Sequence, residues 1–488
     1  MKEQIELENK TGKFKILGSA YEEVLGEVTL KKGKFGKLRI FRSFNGKNYF
    51  NSIDKKNNKI GTVIGKLVGG LCITLHDCEL SHPEFSFNSD LYIYNYYFSD
   101  CFIGSGCQYE NENEFNKISF NVAGIEDYFN ENNHSTTREG SDINIKISMS
   151  EQEEIEIDEN FKIIIDTTYL LGERRLNQIT SKTISIEFKS FQEIDYLVEK
   201  SKVFANYFSF VFNKSIIPTN IKLYRKKEKE DKIQEVYYLY RPGLFDKSKT
   251  SEDLNLNWPD YFIDYKKERF NSFIRKWFDL YRDEKIYQSL TIFFAVMRKF
   301  YTHYEGEFLA LTQCTESFHT IMFKEQPFNP TYYKSKIESC LAEIKNEDAD
   351  LYTKFSALLN NNNSFPLRER LKRLYLQEDL QDYALSKEEI YYNENGEVKQ
   401  SIIKLTEDEF NKFLTTIIGT RNYHTHPTTK GKKKAAAGSE VIKLSYKIRG
   451  LYRLIIMKEI GLTNEEISNI LKNNQQLRQE LYFFTRIG

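Results

Sequence analysis

The feature that most constrains this chain is a change in hydrophobic period partway along it. Up to about residue 260 apolar residues tend to recur at every second position; beyond it they recur every three or four. Ile118, Phe120 and Val122 alternate with Lys117, Ser119 and Asn121, and Ile143, Ile145 and Ile147 alternate with Asn144 and Lys146. Residues 38–42 and 91–94, and the set Ile184, Ile186 and Phe188, read the same way. A strand points successive side chains to opposite faces, so this alternation fits sheets with one buried face. Gly33, Gly36, Asn45-Gly46 and Gly69-Gly70 punctuate the runs. Short strands between turn formers predict a sandwich or barrel over about residues 1–150.

A small α/β unit is expected over about residues 151–260. Residues 161–169 and 183–188 read as strands. Ser190 with Glu193 three positions on resembles a capping box opening a helix, whose stripe is Ile194, Val198, Phe204 and Phe208. Residues 221–224 and 236–240 read as strands around the charge run 225–232, taken as a solvated hairpin loop. Helical stripes then fill about residues 261–488. They are Phe270/Ile274/Trp277/Tyr281, Phe308/Leu311/Thr315/Phe318/Met322, Leu367/Leu371/Leu374, Phe410/Phe413/Leu414/Ile417 and Leu444/Ile448/Leu451/Ile455. Ser364 is expected as an N-cap with Pro366 in the first turn, Gly461 as a helix stop, and Thr463 with Glu466 as a cap. The class is therefore α+β and multidomain, with a β-rich N-terminal half and a helical C-terminal bundle.

With 70 basic and 70 acidic side chains the formal net charge is zero, so nucleic-acid contact requires a local basic patch. Thirty-seven Phe and 32 Tyr in 488 residues supply ample core. The first residues lack an apolar signal core, and the longest apolar run, 292–297, is far short of the ~20 residues of a membrane span. A cytoplasmic protein with no membrane segment is expected. Cys72/Cys78 and Cys101/Cys107 share one spacing, five residues between partners. An offset of six puts both members on one face of a strand. A four-thiolate zinc site was weighed, but such sites usually space their ligands more tightly. Free buried thiols in β-structure are the plainer reading, and no metal or cofactor is expected.

One segment carries chemistry: Gly419-Thr420-Arg421-Asn422-Tyr423-His424-Thr425-His426-Pro427, followed by a loop with Lys430, Lys432, Lys433 and Lys434. Two of the chain's seven histidines fall here. Pro427 disfavours the α conformation at His426, so a helix beginning near Glu407 should end at the motif. Arg421 and His426 are five residues apart, about 140° around a continuous helix. Either the helix breaks between them or a second chain helps complete the site. RNA brings its own nucleophile, the 2′-hydroxyl. Histidine, titrating nearest neutral pH, suits the base that takes its proton. Arginine, always charged and forked, suits the phosphorane charge. The lysines suit the RNA backbone. The competing reading is that a short Arg/His spacing arises by chance as a surface pair.

Arg421-Asn422-Tyr423-His424-Thr425-His426 resembles the Arg-x4-His signature of HEPN ribonucleases, in which Asn commonly follows Arg. The helix before it, the Lys-rich Ala/Gly/Ser loop 432–440 and the apolar helix after it resemble the ApeA-type HEPN proteins of bacterial abortive infection. That resemblance implies a metal-independent endoribonuclease acting on RNA. It further implies a homodimer with a composite active site and growth arrest in anti-phage defence. It makes Arg421 and His426 the catalytic pair, with Asn422 orienting the pair or touching phosphate. His424 either contacts RNA or merely packs, and Glu316, on an earlier helix, is a supporting residue that orients Arg421 or a histidine. For Glu316 the plainer reading is solvent exposure or a pair with His319. The basic residues Arg368, Arg370, Lys372 and Arg373 are taken as solvated. An N-terminal half that senses a phage-derived trigger and restrains the nuclease is the accompanying expectation. The alternative is a non-catalytic RNA-binding or scaffold protein built on a HEPN-like bundle.

Overall fold

The computed structural model describes residues 7–31, 34–44, 59–86, 91–104, 114–129, 134–139, 142–147, 152–171, 178–226, 234–241, 262–263, 265–299, 301, 303–323, 327–359, 363–392, 395 and 397–482. Gly33, Asn45, Gly46, Cys107 and residues 227–232 of the charge run lie outside them. Two compact units result, Met1–Arg275 and Lys276–Gly488.

In the first unit the strands are β1 (Leu7–Ile16), β2 (Val24–Leu30), β3 (Gly36–Ile40), β4 (Lys59–Leu67), β5 (Cys72–Ser86), β6 (Leu91–Phe98), β7 (Asp100–Gly104), β8 (Glu114–Asn121), β9 (His134–Glu139), β10 (Asp142–Ile147), β11 (Glu153–Glu156), β12 (Phe161–Leu171), β13 (Gln178–Glu193), β14 (Thr219–Lys226) and β15 (Gln234–Tyr240). Six of them close a barrel in the order β1-β2-β3-β6-β5-β4 and back to β1, every pair antiparallel. Closure removes unpaired edges. The core is the alternating inward set predicted by period two, including Phe14, Val28, Leu38, Ile40, Val63 and Leu75. Phe14 needs room: a Cβ on Gly65 would lie 2.4 Å from its ring, so only glycine fits there.

Strand β5 makes closure possible by changing partner along its length. Cys72 to His76 pair with β7, while Glu79 to Ser86 pair with β6. Asp77, at φ 50°, marks the switch. The bulge advances the alternation by one residue. Cys72 is therefore half-buried on the outer side, opposite Lys66, while Cys78 is fully buried inside. The expectation that the pair shares one face fails for this reason. Cys101, opposite Leu75, is also buried, and burial pushes the Cys78 thiol up to about 12. Among the described residues no group of three or more His, Cys, Asp or Glu is arranged to hold a metal.

From β5 the sheet continues through β7, β15, β14, β8, β13, β12 and β11. β8 sits between β13 and β14, so strands from before and after the boundary expected near residue 150 share one sheet. The short α1 (Ile125–Phe129) and the long α2 (Ile194–Phe212) cover one face, with Phe120 and Phe204 in edge contact at 5.9 Å. The expected capping box at Ser190 does not form. Gln192 and Glu193 stay extended and pair with Phe115 and Glu114, and Glu193 is the N-cap of α2 without a side-chain bond. The ladder had already taken those backbone groups.

The helix α3 (Lys267–Leu280) spans the division between units. The second unit then holds α4 (Glu284–Met297), α5 (Tyr304–Met322), α6 (Pro330–Glu347), α7 (Ala349–Leu359), α8 (Leu367–Tyr375), α9 (Gln381–Ala384), a hairpin of β16 (Ser386–Tyr392) and β17 (Val398–Lys404), α10 (Glu407–Thr425), α11 (Thr429–Lys432), α12 (Ser439–Glu459), α13 (Asn464–Asn473) and α14 (Gln475–Tyr482). Pro366, not Ser364, is the N-cap of α8. The Thr463/Glu466 box forms as expected, and a second box, Thr406/Glu409, starts α10. Helix α12 is buried nearly all round: Leu444, Ile448, Leu451, Tyr452 and Ile455 are inaccessible or nearly so, and so are Lys447 and Arg453. A helix covered on nearly every side belongs at the centre of a bundle, and here that burial includes ionisable groups. The β16–β17 hairpin is an addition that periodicity did not single out. No helix among the described residues is long and apolar enough to cross a membrane.

Candidate active site at the end of α10

Helix α10 carries the motif because its apolar stripe packs inward while its last turn reaches the surface. Phe410, Phe413, Leu414, Ile417 and Thr420 are buried, whereas Asn422, Thr425 and His426 are exposed. The helix does not break between Arg421 and His426. It runs to Thr425, and His426 is the C-cap, at φ −138° and ψ 79°, its N–H donating to Asn422 O at 2.8 Å. Pro427 explains the stop, since it forces the preceding residue out of the α region. Of the two alternatives left by the 140° separation, a break inside the motif is thereby removed.

Arg421 is half-buried and held on two sides. Its Nη2 lies 3.5 Å from Glu316 Oε1 on α5, and its Nη1 donates to Asn422 Oδ1 at 3.3 Å. Glu316 therefore pairs with the motif arginine, and His319 is buried against the rings of Phe323 and Phe365. His424 is half-buried, its ring in edge contact with Tyr423 at 5.2 Å, and its Nε2 is enclosed without a hydrogen-bond partner. Lys432, Lys433 and Lys434 are exposed; the backbone of Lys430 belongs to α11.

The lysine loop is folded back onto α10. Ala436 N–H donates to Thr420 Oγ1 at 2.9 Å, one residue before Arg421. Thr420 in turn donates to Thr416 O at 2.7 Å. Gly419 lets the two backbones meet: a Cβ there would stand 2.6 Å from Lys434 O. This glycine inside a helical run was the signal of a close approach, and Thr420 was not anticipated. Helix α8 braces the same helix from another side. Arg368 donates to Thr415 Oγ1 and Asn411 Oδ1 on α10, and Arg370 donates to Phe365 O and to Glu316 O. Arg373 lies 3.9 Å over the Phe365 ring. These arginines were expected to be solvated: Arg368 is exposed and also ties α8 to α10, whereas the half-buried Arg370 ties α8 to α5, because its fork meets carbonyls within reach. Lys372 is exposed.

Behind the site, α12 buries ionised groups. Arg453 and Arg449 meet Glu480 at 2.8 and 3.0 Å, and Arg449 also meets Glu307 at 3.2 Å. Lys447 donates to Ser386 O at 2.8 Å and to Leu481 O, and burial pulls its ammonium down to about 7.

The arrangement gathers a guanidinium, a carboxylate, an amide, an exposed imidazole and a basic loop at one helix end. Comparison with known proteins bears on the chain as a whole. The family model described as ApeA N-terminal domain 1 matches residues 9–277, and that described as Apea-like HEPN matches residues 309–466. No curated protein and no solved structure matches the chain. Together the two family matches span both units, and the chain belongs to the ApeA-type HEPN family.

Proposed function

We propose that this chain is a metal-independent endoribonuclease that cuts RNA by attack of the 2′-hydroxyl on the adjacent phosphate. The observation that carries the reading is the end of α10. An exposed His426 caps the helix, and a half-buried Arg421 is oriented by Glu316 and Asn422 one turn earlier. His426 takes the hydroxyl proton and Arg421 holds the charge gathering on the phosphate. Glu316 is a positioning residue, and Asn422 steadies the guanidinium. Lys430, Lys432, Lys433 and Lys434, with His424, line the path of the RNA backbone. The reaction needs no metal ion, since a base and a fixed cation supply what the step requires. DNA, lacking the hydroxyl, is spared.

The enzyme works in the cytoplasm as a homodimer, in abortive-infection defence, with the first unit sensing a phage-derived trigger. The position of the pair supports the dimer: Arg421 lies within a helix unbroken through Thr425 and His426 caps its end, five residues on, which leaves room for a second chain to complete the cleft. Expression of the wild type, Arg421→Ala and His426→Ala, with sequencing of RNA ends, tests the reading. Wild type leaves 2′,3′-cyclic phosphate ends in EDTA, and both variants leave none while remaining folded. Cleavage that requires added metal, or defence intact in His426→Ala, refutes it; the latter outcome means an RNA-binding scaffold. Co-expression of the two variants tests the composite site. A mixed dimer regains one working pair only if each pair is shared between chains.

A further inference from the structure

The face of the first unit's sheet opposite α2 carries an arrangement that the nuclease reading does not use. Residues Ile118, Phe120, Ile184, Ile186 and Leu223 point to the helix side and are buried. Their neighbours point the other way. Two cross-strand rows result. In one, Glu187, Lys117, Tyr224 and Val236 stand opposite one another on β13, β8, β14 and β15; in the other, Ser185, Ser119, Lys222 and Tyr238 do so. Each lysine lies beside a ring: Lys117 Nζ is 5.4 Å from the Tyr224 centroid and Lys222 Nζ is 5.1 Å from that of Tyr238. Tyr238 is 38% exposed, so part of its ring is open to a ligand. The serines between them are small and buried, leaving a low floor, and Ser119 donates to Tyr224 Oη at 3.1 Å, which fixes that ring. Tyr224 and Tyr238 are diagonal neighbours on adjacent strands, about 7 Å apart.

We propose that this sheet face binds single-stranded nucleic acid, two bases stacking on Tyr224 and Tyr238 while Lys117 and Lys222 contact the flanking phosphates. A π-face suits any base, and a strand of unpaired nucleotides supplies both rings and negative charge at this spacing; a duplex hides its rings. The lysines bring positive charge to the rings and swing from them to phosphate. Beyond Lys117 the first row continues through Glu187 on β13 to Lys162 on β12, so a carboxylate bounds the site on the β13 side. The proposal is independent of the nuclease reading, because it concerns residues of another unit.

The test measures fluorescence anisotropy of the full chain with labelled oligo-dT and with 2′-O-methyl oligouridine, neither of which offers a 2′-hydroxyl nucleophile, and with a duplex of equal length. Both single strands are expected to bind more tightly than the duplex. Tyr238→Ala weakens binding about tenfold and Tyr238→Phe does not. Lys117→Gln with Lys222→Gln lowers the slope of log affinity against log salt by about 1.4. Iodouracil placed in either strand cross-links to the 219–240 segment. Preference for one of the two single strands assigns the ligand as DNA or RNA within the proposal. No single-strand binding at micromolar protein, equal loss for the duplex, an unaffected Tyr238→Ala, or cross-links confined to the 419–434 segment overturns it.

Discussion

Gly419→Ala tests the contact that joins the lysine loop to the motif helix. In an open helix this substitution stabilises by about 1 kcal/mol. Here the new Cβ would stand 2.6 Å from Lys434 O, 3.2 Å from its carbonyl carbon and 3.3 Å from its Cβ. Ordinary contact begins at 3.4 Å, so the loop backbone must retreat by about 0.8 Å. Two residues on, Ala436 N–H is 2.9 Å from Thr420 Oγ1, and the same retreat takes it beyond hydrogen-bonding distance. Ala436 is buried, so its N–H loses its partner at a cost of about 1–3 kcal/mol. Overpacking adds about 1–3 kcal/mol. Set against the gain in helix propensity, the expected outcome is a loss of about 1–5 kcal/mol. Urea unfolding of the full chain reads the total, and hydrogen exchange at residues 434–437 reads the locality. Thr420→Val, which removes the acceptor together with the Thr420 bond to Thr416 O, should raise exchange at Ala436 and be non-additive with Gly419→Ala. If Gly419→Ala raises the urea midpoint and leaves exchange unchanged, the close approach of loop and helix is wrong.

Glu480→Gln leaves two buried guanidiniums with Glu307 as their remaining carboxylate, and should cost about 3–5 kcal/mol in thermal or urea unfolding; a loss below about 1 kcal/mol would mean the network is solvated. Lys447 has a folded-state pKa of about 7 against 10.5 for the free group, so between those values the unfolded chain binds the extra proton. Stability therefore rises as pH climbs through that window, by up to about 1.4 kcal/mol per pH unit, and the contribution is absent below it. Lys447→Met should flatten that slope relative to wild type, and equal slopes would count against a neutral buried amine. Glu316→Gln touches a half-exposed pair worth at most about 1 kcal/mol, so unfolding should barely move. The same variant should lower kcat for RNA cleavage more than it raises KM; unchanged kcat would make the ion pair incidental.

The elements that sequence alone revealed are those whose burial follows a simple period. Ile184, Ile186, Ile118 and Phe120 alternate because one face of their sheet meets α2, and Leu444, Ile448 and Leu451 recur because α12 lies in the bundle core. What escaped depends on contacts between distant segments. Barrel closure turns on Asp77, a residue with no hydrophobic signal, whose left-handed backbone reverses the facing of Cys78. The false capping box at Ser190 had the right spacing, but strand pairing to β8 used the backbone groups it would have served. Arg368 and Arg370 looked like a solvated charge run because their acceptors, on α10 and α5, are remote in sequence.

The end of the motif helix was legible for a different reason: proline acts locally. Pro427 dictates where α10 stops whatever packs around it, and the stop divides the two key side chains between different mechanical settings. Arg421 lies within the last helical turn, its fork held by Glu316 and Asn422, which suits a group that must meet phosphate oxygens at fixed angles. His426 lies one residue past the helix, exposed, its backbone already out of the helical region. An imidazole that takes and returns a proton has to reorient between partners, and a helix cap grants that freedom where a helix interior would not. Moving the proline one position earlier would end the helix one residue sooner, and inserting a residue between Arg421 and His426 would swing the imidazole about 100° around the axis. Either change leaves both side chains present and should still abolish the proposed cleavage, because the chemistry depends on where the helix ends as much as on which residues stand there.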